Sequence, residues 1–437
     1  MSASPLGLPE PGLPVSRRGF LRGTAVAGFA VTLPSVLAAC GGGEKGGKDS
    51  PVTVGNNSSD PVPKKAIEAT LHSAESARGL KVKINTVDHN SFQETINSYL
   101  QGTPQDVFTW FAGYRMQFFA KKGLIADISD VWKKAGDNYG AAFKAASSAA
   151  GKQYFVPFLY YPWAVFYRKS VFEAKGYQPP KTLDEYEALC KKMKKDGLVP
   201  IAMGQKDGWP AMGTFDYFNM RTNGYDFHVS LMAGKESWTD PKVKAAFDNW
   251  KSILPYTQDK ATGRIWQDAV QAVYQKKAGM ILQGSSQVGP QFPTADQGDL
   301  DFFLFPEISA DYGQDSIEAP IDGFCLAKKA KNVVGGKALL EYLATGKAQN
   351  TYLKSDPTFV ATADDADQAS YTELQKKAAG AVGAAKHISQ FLDRDTRPDF
   401  AQNVMKRAIS DFLDNPNEVD RIVKQIEKQK QTYDFGS

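Results

Sequence analysis

Aromatic rings and directional polar groups recur together along this chain, where extended runs give way to loops. Trp110, Phe111 and Tyr114 close one apolar run, and Tyr160, Tyr161 and Trp163 sit in a second. Trp209 stands in the loop Gln205-Lys206-Asp207-Gly208-Trp209-Pro210. Beside them lie Asn56, Asn57, Asn90, Arg115, Asp207, Gln283 and Asp322. Rings offer flat apolar faces; amides, carboxylates and a guanidinium offer hydrogen bonds in fixed directions. Such a set holds a small polar solute without making or breaking bonds. It also rejects poor fits, because a buried polar group left unpaired costs about 1–3 kcal/mol. Catalytic chemistry finds less support. The four histidines (His72, His89, His228, His387) are scattered, with no His-x-x-x-His pair and no Gly-x-Ser-x-Gly elbow. No catalytic residue, metal or cofactor is expected.

Charge and cysteine content narrow the class further. Lys plus Arg number 52 against 48 Asp plus Glu, and the signs are interspersed, so no basic stripe marks a nucleic-acid partner. The lysine run Lys191–Lys195 reads as the solvated face of one helix. Of three cysteines, Cys40 belongs to the leader, and Cys190 and Cys325 read as two buried thiols rather than a disulfide framework.

The first forty residues carry the most specific pattern. Ser16-Arg17-Arg18-Gly19-Phe20-Leu21-Arg22 precedes an apolar stretch, Gly23 to Leu37, and then Leu37-Ala38-Ala39-Cys40. A basic start, a short apolar run and small residues at a cut site read as a secretory signal over 1–39. The run is too short for a membrane span of ~20 residues, and Pro34 interrupts it. The arginine pair resembles a twin-arginine signal, and Leu-Ala-Ala-Cys resembles a lipobox, in which Cys40 is diacylated. Two acyl chains anchor stably where one does not. Residues 40–50 (CGGGEKGGKDS) then read as the lipidated cysteine and a flexible tether.

Positioning the stacking and polar groups falls to alternating strands and helices. Pro51–Gly55, Lys81–Val87 and Asp106–Phe111 read as strands, with helical periodicity over 63–77 and 92–100 between them. Ser91 with Glu94 looks like a capping box for the second helix. This β-α-β-α-β order predicts a mainly parallel sheet flanked by helices, with ligands beyond the carboxyl ends of its strands. Those ends carry Asn56 and Asn57, then His89 and Asn90, then Trp110, Phe111, Tyr114 and Arg115. Tyr154–Tyr167 is extended, aromatic and twice interrupted by proline, as suits a chain crossing between two lobes. Further helices read over 183–195, 242–254 and 265–276, further strands over 278–282, 301–306 and 319–326, and the chain from about 370 on is largely helical. A mature chain of roughly 400 residues exceeds one ordinary core.

Four segments carry a resemblance to a family. They are Pro104-Gln105-Asp106-Val107-Phe108 followed by Gly123–Ile128; Tyr154 to Lys169; Pro180-Lys181-Thr182-Leu183-Asp184-Glu185-Tyr186; and Gly279-Met280-Ile281-Leu282 with its Gly-Ser-Ser turn. The chain resembles the extracellular solute-binding proteins of carbohydrate ABC importers (family 1, maltose/oligosaccharide-binding-like), in lipoprotein form. Leu183, where that family often has Trp, and Gln283, where small residues are common, depart from it.

The resemblance implies a two-lobed periplasmic-binding-protein-like α/β fold joined by a multi-segment hinge. One lobe would span 51–160 plus 321–370, the other 161–320 plus 371–437. It implies a monomer on the outer face of the cell membrane that closes on a mono- or short oligosaccharide and delivers it to ABC permease subunits. The pyranose C–H faces would stack on Trp110, Tyr114, Tyr161, Trp163 and Trp209. Its hydroxyls would meet Asn57, Asn90, Arg115, Asp207, Gln283, Asp322 and Arg394. Asp322 also reads as a turn former, and Arg394 with Asp395 as a local ion pair. Two alternatives stand beside the sugar: a non-sugar solute (a phosphorylated polyol or a peptide), and an exported glycan-acting enzyme, whose carboxylate pair about 5–10 Å apart leaves no sequence signature.

Overall fold

Val52–Asn56, Val82–Thr86 and Val107–Phe111 form the start of the first sheet in a computed structural model that describes residues 45–47 and 49–435. The leader and Cys40 lie outside the described residues. Among those described, no helix is long and apolar enough to cross a membrane. The end of the expected tether is docked rather than free. The Lys45 carbonyl accepts from Val333 N (2.9 Å), and Asn332 Nδ2 donates to the carbonyls of Gly47 (3.0 Å) and Ser50 (2.9 Å).

Six strands build the first sheet, in the order Val360–Ala361, Val156–Tyr160, Ile321–Leu326, Val107–Phe111, Val52–Asn56, Val82–Thr86. Four build the second: Leu300–Phe303, Trp163–Arg168, Ala278–Gly284, Val199–Ala202. Both sheets are mixed, which corrects the mainly parallel expectation. The first three strands of the chain pair parallel, as do Val199–Ala202 and Ala278–Gly284. Ile321–Leu326, Val156–Tyr160, Trp163–Arg168 and Leu300–Phe303 join antiparallel. Only Tyr161-Pro162 separates the Tyr160 end of the first sheet from the Trp163 start of the second. Ala319-Pro320 makes a second short passage, between Ser316–Glu318 and Ile321–Leu326.

The central strands Val107–Phe111, Trp163–Arg168 and Ala278–Gly284 are buried along their whole length, as helices on both faces require. The helix after Val82–Thr86 starts earlier than expected. It spans His89–Gln101, and its cap is Asp88, not Ser91: the Asp88 carboxylate accepts from Ser91 N (2.9 Å) and Ser91 Oγ (2.8 Å). His89 and Asn90 therefore sit in its first turn.

Asp106 clips the first sheet together. Its buried carboxylate accepts from Thr53 N (2.9 Å) and Thr53 Oγ1 (2.7 Å) through Oδ2, and from Lys331 N (2.6 Å) and Asn332 N (2.8 Å) through Oδ1. One side chain thus joins two neighbouring strands to the start of the helix Val333–Leu343. Cys190 and Cys325 are free, buried thiols; burial pushes the Cys190 thiol up to about 12.

Candidate functional site

The carboxyl ends of the three parallel strands face a cleft of about 910 Å³, counted with its open mouth. Asn57 to Asp60, Asp88 to Asn90, and Thr109 to Phe111 line it from those ends. Asp322 to Phe324 line it beside the second passage, and Trp209, Trp266, Gln267 and Gln287 from the second sheet's side. Tyr352 and Phe359 close it at the back. Gly323 is required at its place, because a Cβ there would meet the Val156 carbonyl where the Ile321–Leu326 strand shifts register.

Asn57 is held by its neighbour. Its backbone N–H donates to Thr109 Oγ1 (3.0 Å), whose hydroxyl donates back to Asn57 Oδ1 (2.9 Å). The amide is thereby oriented, and its buried Nδ2 has no hydrogen-bond partner among the described residues. Such a group is costly unless something accepts from it. Asp60 is raised by burial, a bond with Gln267 opposing this. His89 keeps an edge toward the cleft, yet burial, with the nearby charges of Arg394 and Arg115, pushes it down to about 4. A neutral imidazole can accept as well as donate.

Asn90 binds across the cleft. Its Nδ2 donates to Asp207 Oδ1 (2.9 Å), and its Oδ1 accepts from Trp209 Nε1 (3.2 Å). Lys406 and Glu94 add an ion pair at 3.3 Å. The indole of Trp209 lies 6.3 Å from His89 and 6.2 Å from both Trp163 and Trp266, so it is held on several sides while remaining half-buried. The arrangement offers aromatic faces on one side and oriented amides and carboxylates on the other. Among the described residues, no group of three or more His, Cys, Asp or Glu is arranged to hold a metal ion.

Residues 57–350 match the family model of the bacterial extracellular solute-binding proteins. The chain belongs to that family. The solute receptor AcbH, whose crystal structures are described with an exclusive preference for β-D-galactopyranose, is 46% identical to this solute-binding protein. It superposes with a TM-score of 0.86 over 87% of this chain and 98% of that one. A chitin oligosaccharide binding protein, 20% identical with a TM-score of 0.77 over 87% of this chain and 98% of its own, shares the fold. With them, the two-lobed α/β architecture is established. The diacetylchitobiose binding protein DasA of Streptomyces coelicolor is 26% identical over 316 residues, 68% of this chain and 71% of that one. An uncharacterised ABC transporter extracellular-binding protein of Pyrococcus horikoshii is 27% identical over 257 residues, 58% of this chain and 57% of that one. The chain spans about half the length of the curated relatives it matches in that archaeon, 57% and 49%.

Within this solute-binding protein, the expected residues separate into three groups. Asn57, Asn90, Trp209 and Asp322 line the cleft, and Asp207 lies just behind Asn90. Trp110, Arg115, Tyr161, Trp163 and Arg394 are buried, and Tyr161, Trp163 and Arg394 line a smaller cavity of about 300 Å³ with His89, Trp209 and Gln287 of the cleft wall. Only the edge of Trp110 reaches the cleft; its ring packs among Phe92, Phe111 and Phe119. Arg115 bonds Gln93 Oε1 (2.7 Å) and Asp393 (3.0 Å) beneath Trp110 and Phe111. Arg394 makes no local pair with Asp395; it bonds Asp322 and Tyr161.

The third group lies elsewhere. Tyr114 sits half-buried on the helix Tyr114–Lys121, beside Arg397 and away from the cleft. Gln283 points into the second lobe's interior with Tyr186, Ile201 and Phe305. Strand alternation explains Gln283: along Ala278–Gly284 every residue is buried, and the face away from the cleft meets helices. Sequence reading missed Asp60, Trp266, Gln267, Gln287, Tyr352 and Phe359, and assigned His89 no role. The Asn-Asn-Ser-Ser-Asp run at 56–60 was the available signal for Asp60. Trp266 and Tyr352 sit in or at the start of helices, where they read as core.

Proposed function

We propose that this solute-binding protein captures a sugar of one or a few rings in the cleft and delivers it to membrane ABC permease subunits. The observation that carries the reading is the Asn57 amide, locked by Thr109 with an unpartnered Nδ2, in a cleft walled by Trp209 and Trp266. Hydroxyls supply the acceptor Nδ2 needs, and the sugar's C–H face supplies the partner for the rings. The 46% identity to a galactopyranose receptor supports the same class. Ligand touching Asn57 and Asp322 on one side and Trp209 on the other would favour the closed arrangement, since only differential contacts shift such an equilibrium. The proposal includes a monomer, lobes of 51–160 plus 321–370 and 161–320 plus 371–437, binding without turnover, and a twin-arginine leader ending in a diacyl anchor at Cys40.

A thermal-shift and calorimetric screen tests it, with D-galactose, other monosaccharides, disaccharides, glycerol phosphate and short peptides. A bound sugar at a hundred times Kd stabilises the native state by about 2.7 kcal/mol. The reading is wrong if a phosphate ester or peptide raises the melting temperature and no sugar does. Products appearing on prolonged incubation with an oligosaccharide would favour the enzyme instead. Mass spectrometry of the membrane fraction reports on Cys40, and a C40A variant of the protein should no longer be held at the membrane.

A further inference from the structure

The loop Ser389–Asp395 joins a strained backbone to contacts with both sheets. Phe391 has φ +136° and ψ 145°, a conformation that a side-chain-bearing residue keeps only when its surroundings over-determine it. Here they do. The Asp395 carboxylate accepts from Ser389 Oγ (2.7 Å) and Gln390 N (2.8 Å). Leu392 N donates to Asp216 Oδ2 on the helix Pro210–Asn223 (2.7 Å). The Phe391 ring lies 4.8 Å from Trp163, in a slot that needs Gly213: a Cβ there would come within 2.7 Å of Phe391 and 2.8 Å of Trp163.

From this fixed loop, Arg394 reaches both short passages at the first sheet: Tyr161-Pro162, which leads to the second sheet, and Ala319-Pro320, which comes from Ser316–Glu318, paired with His387–Ser389 in a two-stranded sheet of its own. One guanidinium nitrogen donates to Asp322 Oδ1 (2.9 Å), at the end of the Ala319-Pro320 passage. The other donates to the hydroxyl of Tyr161 (3.0 Å), in the Tyr161-Pro162 passage. The guanidinium lies 3.9 Å from the centre of the Phe111 ring. Gln390 adds a bond from Ile321 N to its Oε1 (3.0 Å). Arg394 is buried, whereas about a third of the Asp322 side chain (32%) stays open to the cleft. One carboxylate oxygen is therefore taken by Arg394 while the side chain remains within reach of a solute.

We infer that Arg394 is a positioning residue for capture: it aims the Asp322 carboxylate into the cleft and ties it to both passages, without touching the solute itself. The inference rests on the sugar-capture reading. A hydroxyl bound to Asp322 is then felt where the two lobes pivot. A guanidinium suits the task because its rigid fork serves two acceptors at once, which the single ammonium of lysine does less well.

The test compares the purified wild type with R394A, R394K, D322N and the R394A/D322N pair. Calorimetry with D-galactose and small-angle scattering with and without it are the readouts. R394A is expected to weaken galactose binding about 30-fold or more, as loss of one partner of a buried charge pair does, with R394K recovering part of the loss. The double variant should bind no worse than the weaker single one, because both changes break one linked unit. Ligand-free R394A should scatter with a larger radius of gyration than the wild type. Binding by folded R394A within about threefold of wild type, or losses that simply add in the double variant, overturns the inference. Far-UV circular dichroism checks folding; if R394A does not fold, R394K decides, and wild-type affinity with an unchanged radius refutes the role. Should the wild type bind no sugar, the capture reading fails, and the tie between the passages stands or falls on the ligand-free scattering.

Discussion

Replacing Asp106 by Asn exchanges an acceptor oxygen for an amide that only donates, at a place where every neighbour donates. Four hydrogen bonds converge on the carboxylate, three from backbone N–H groups and one from the Thr53 hydroxyl. With the new amide turned toward Lys331 and Asn332, two backbone bonds are lost. Turned toward Thr53, the hydroxyl can rotate to accept, but Thr53 N is left facing a donor. The second orientation costs less. It forfeits one charge-assisted bond, worth about 1.5–3 kcal/mol, and weakens two others by removing the charge. A total near 3 kcal/mol follows, a large share of the ~5–15 kcal/mol that holds a native protein. Urea denaturation at pH 7, followed by tryptophan fluorescence and far-UV circular dichroism, measures it. Asp106 stands at the opposite end of its strand from Phe111 and the cleft, so the folded variant should keep its affinity for sugar. A stability loss below about 1 kcal/mol would refute the role of Asp106 as a clip.

Two further outcomes are expected. W209A removes an aromatic wall held by Asn90 and flanked by four other rings; sugar affinity should fall about 30-fold by calorimetry, the scale of an interface anchor, with an unchanged circular dichroism spectrum. Unaltered affinity would take Trp209 out of the site. D356N concerns pH: burial raises the Asp356 carboxyl to about 6, partly opposed by bonds from Thr358. The unfolded carboxyl releases its proton near 3.8, so the stability this group contributes is full below that pH and lost as pH rises through 6. The loss is about 3 kcal/mol. Asn carries no such proton, so stability measured from pH 4 to pH 7 should decline less in D356N than in the wild type by about that amount; parallel profiles would contradict the assignment.

Local patterns carried much of the fold. The helix Leu183–Lys195 begins and ends where its periodicity places it, because Thr182 caps it and its buried residues Tyr186, Leu189, Cys190 and Met193 fall on one face. The strand ends carrying Asn57, Asn90 and Phe111 were legible for a similar reason, since a β-α-β-α-β order fixes which end of the sheet is open. The capping box at Ser91 failed because Asp88, three residues earlier, is an equally good cap and brings His89 and Asn90 into the helix. What sequence could not disclose is how charge is spent over long separations. Arg394 and Arg115 looked like groups for hydroxyls, but partners 72, 233 and 278 residues away claim them. Tyr114 and Gln283 have the right chemistry on the wrong face, a matter of packing that composition does not encode.

The strand Ile321–Leu326 lies between Val107–Phe111 and Val156–Tyr160 and pairs with both. It is the keystone of its sheet, and it is made late. When the ribosome has finished residue 303, all four strands of the second sheet exist, while the first sheet still has a gap at its centre. Two open strand edges wait there, each able to pair with the wrong partner. Closing the gap requires contacts across more than 150 residues of chain, the kind of long-range pairing that folds slowly. The insertion that makes two lobes from one chain thus also sets an order of synthesis, with the four strands of the second sheet made before the keystone of the first, on which the Asn57 side of the cleft depends.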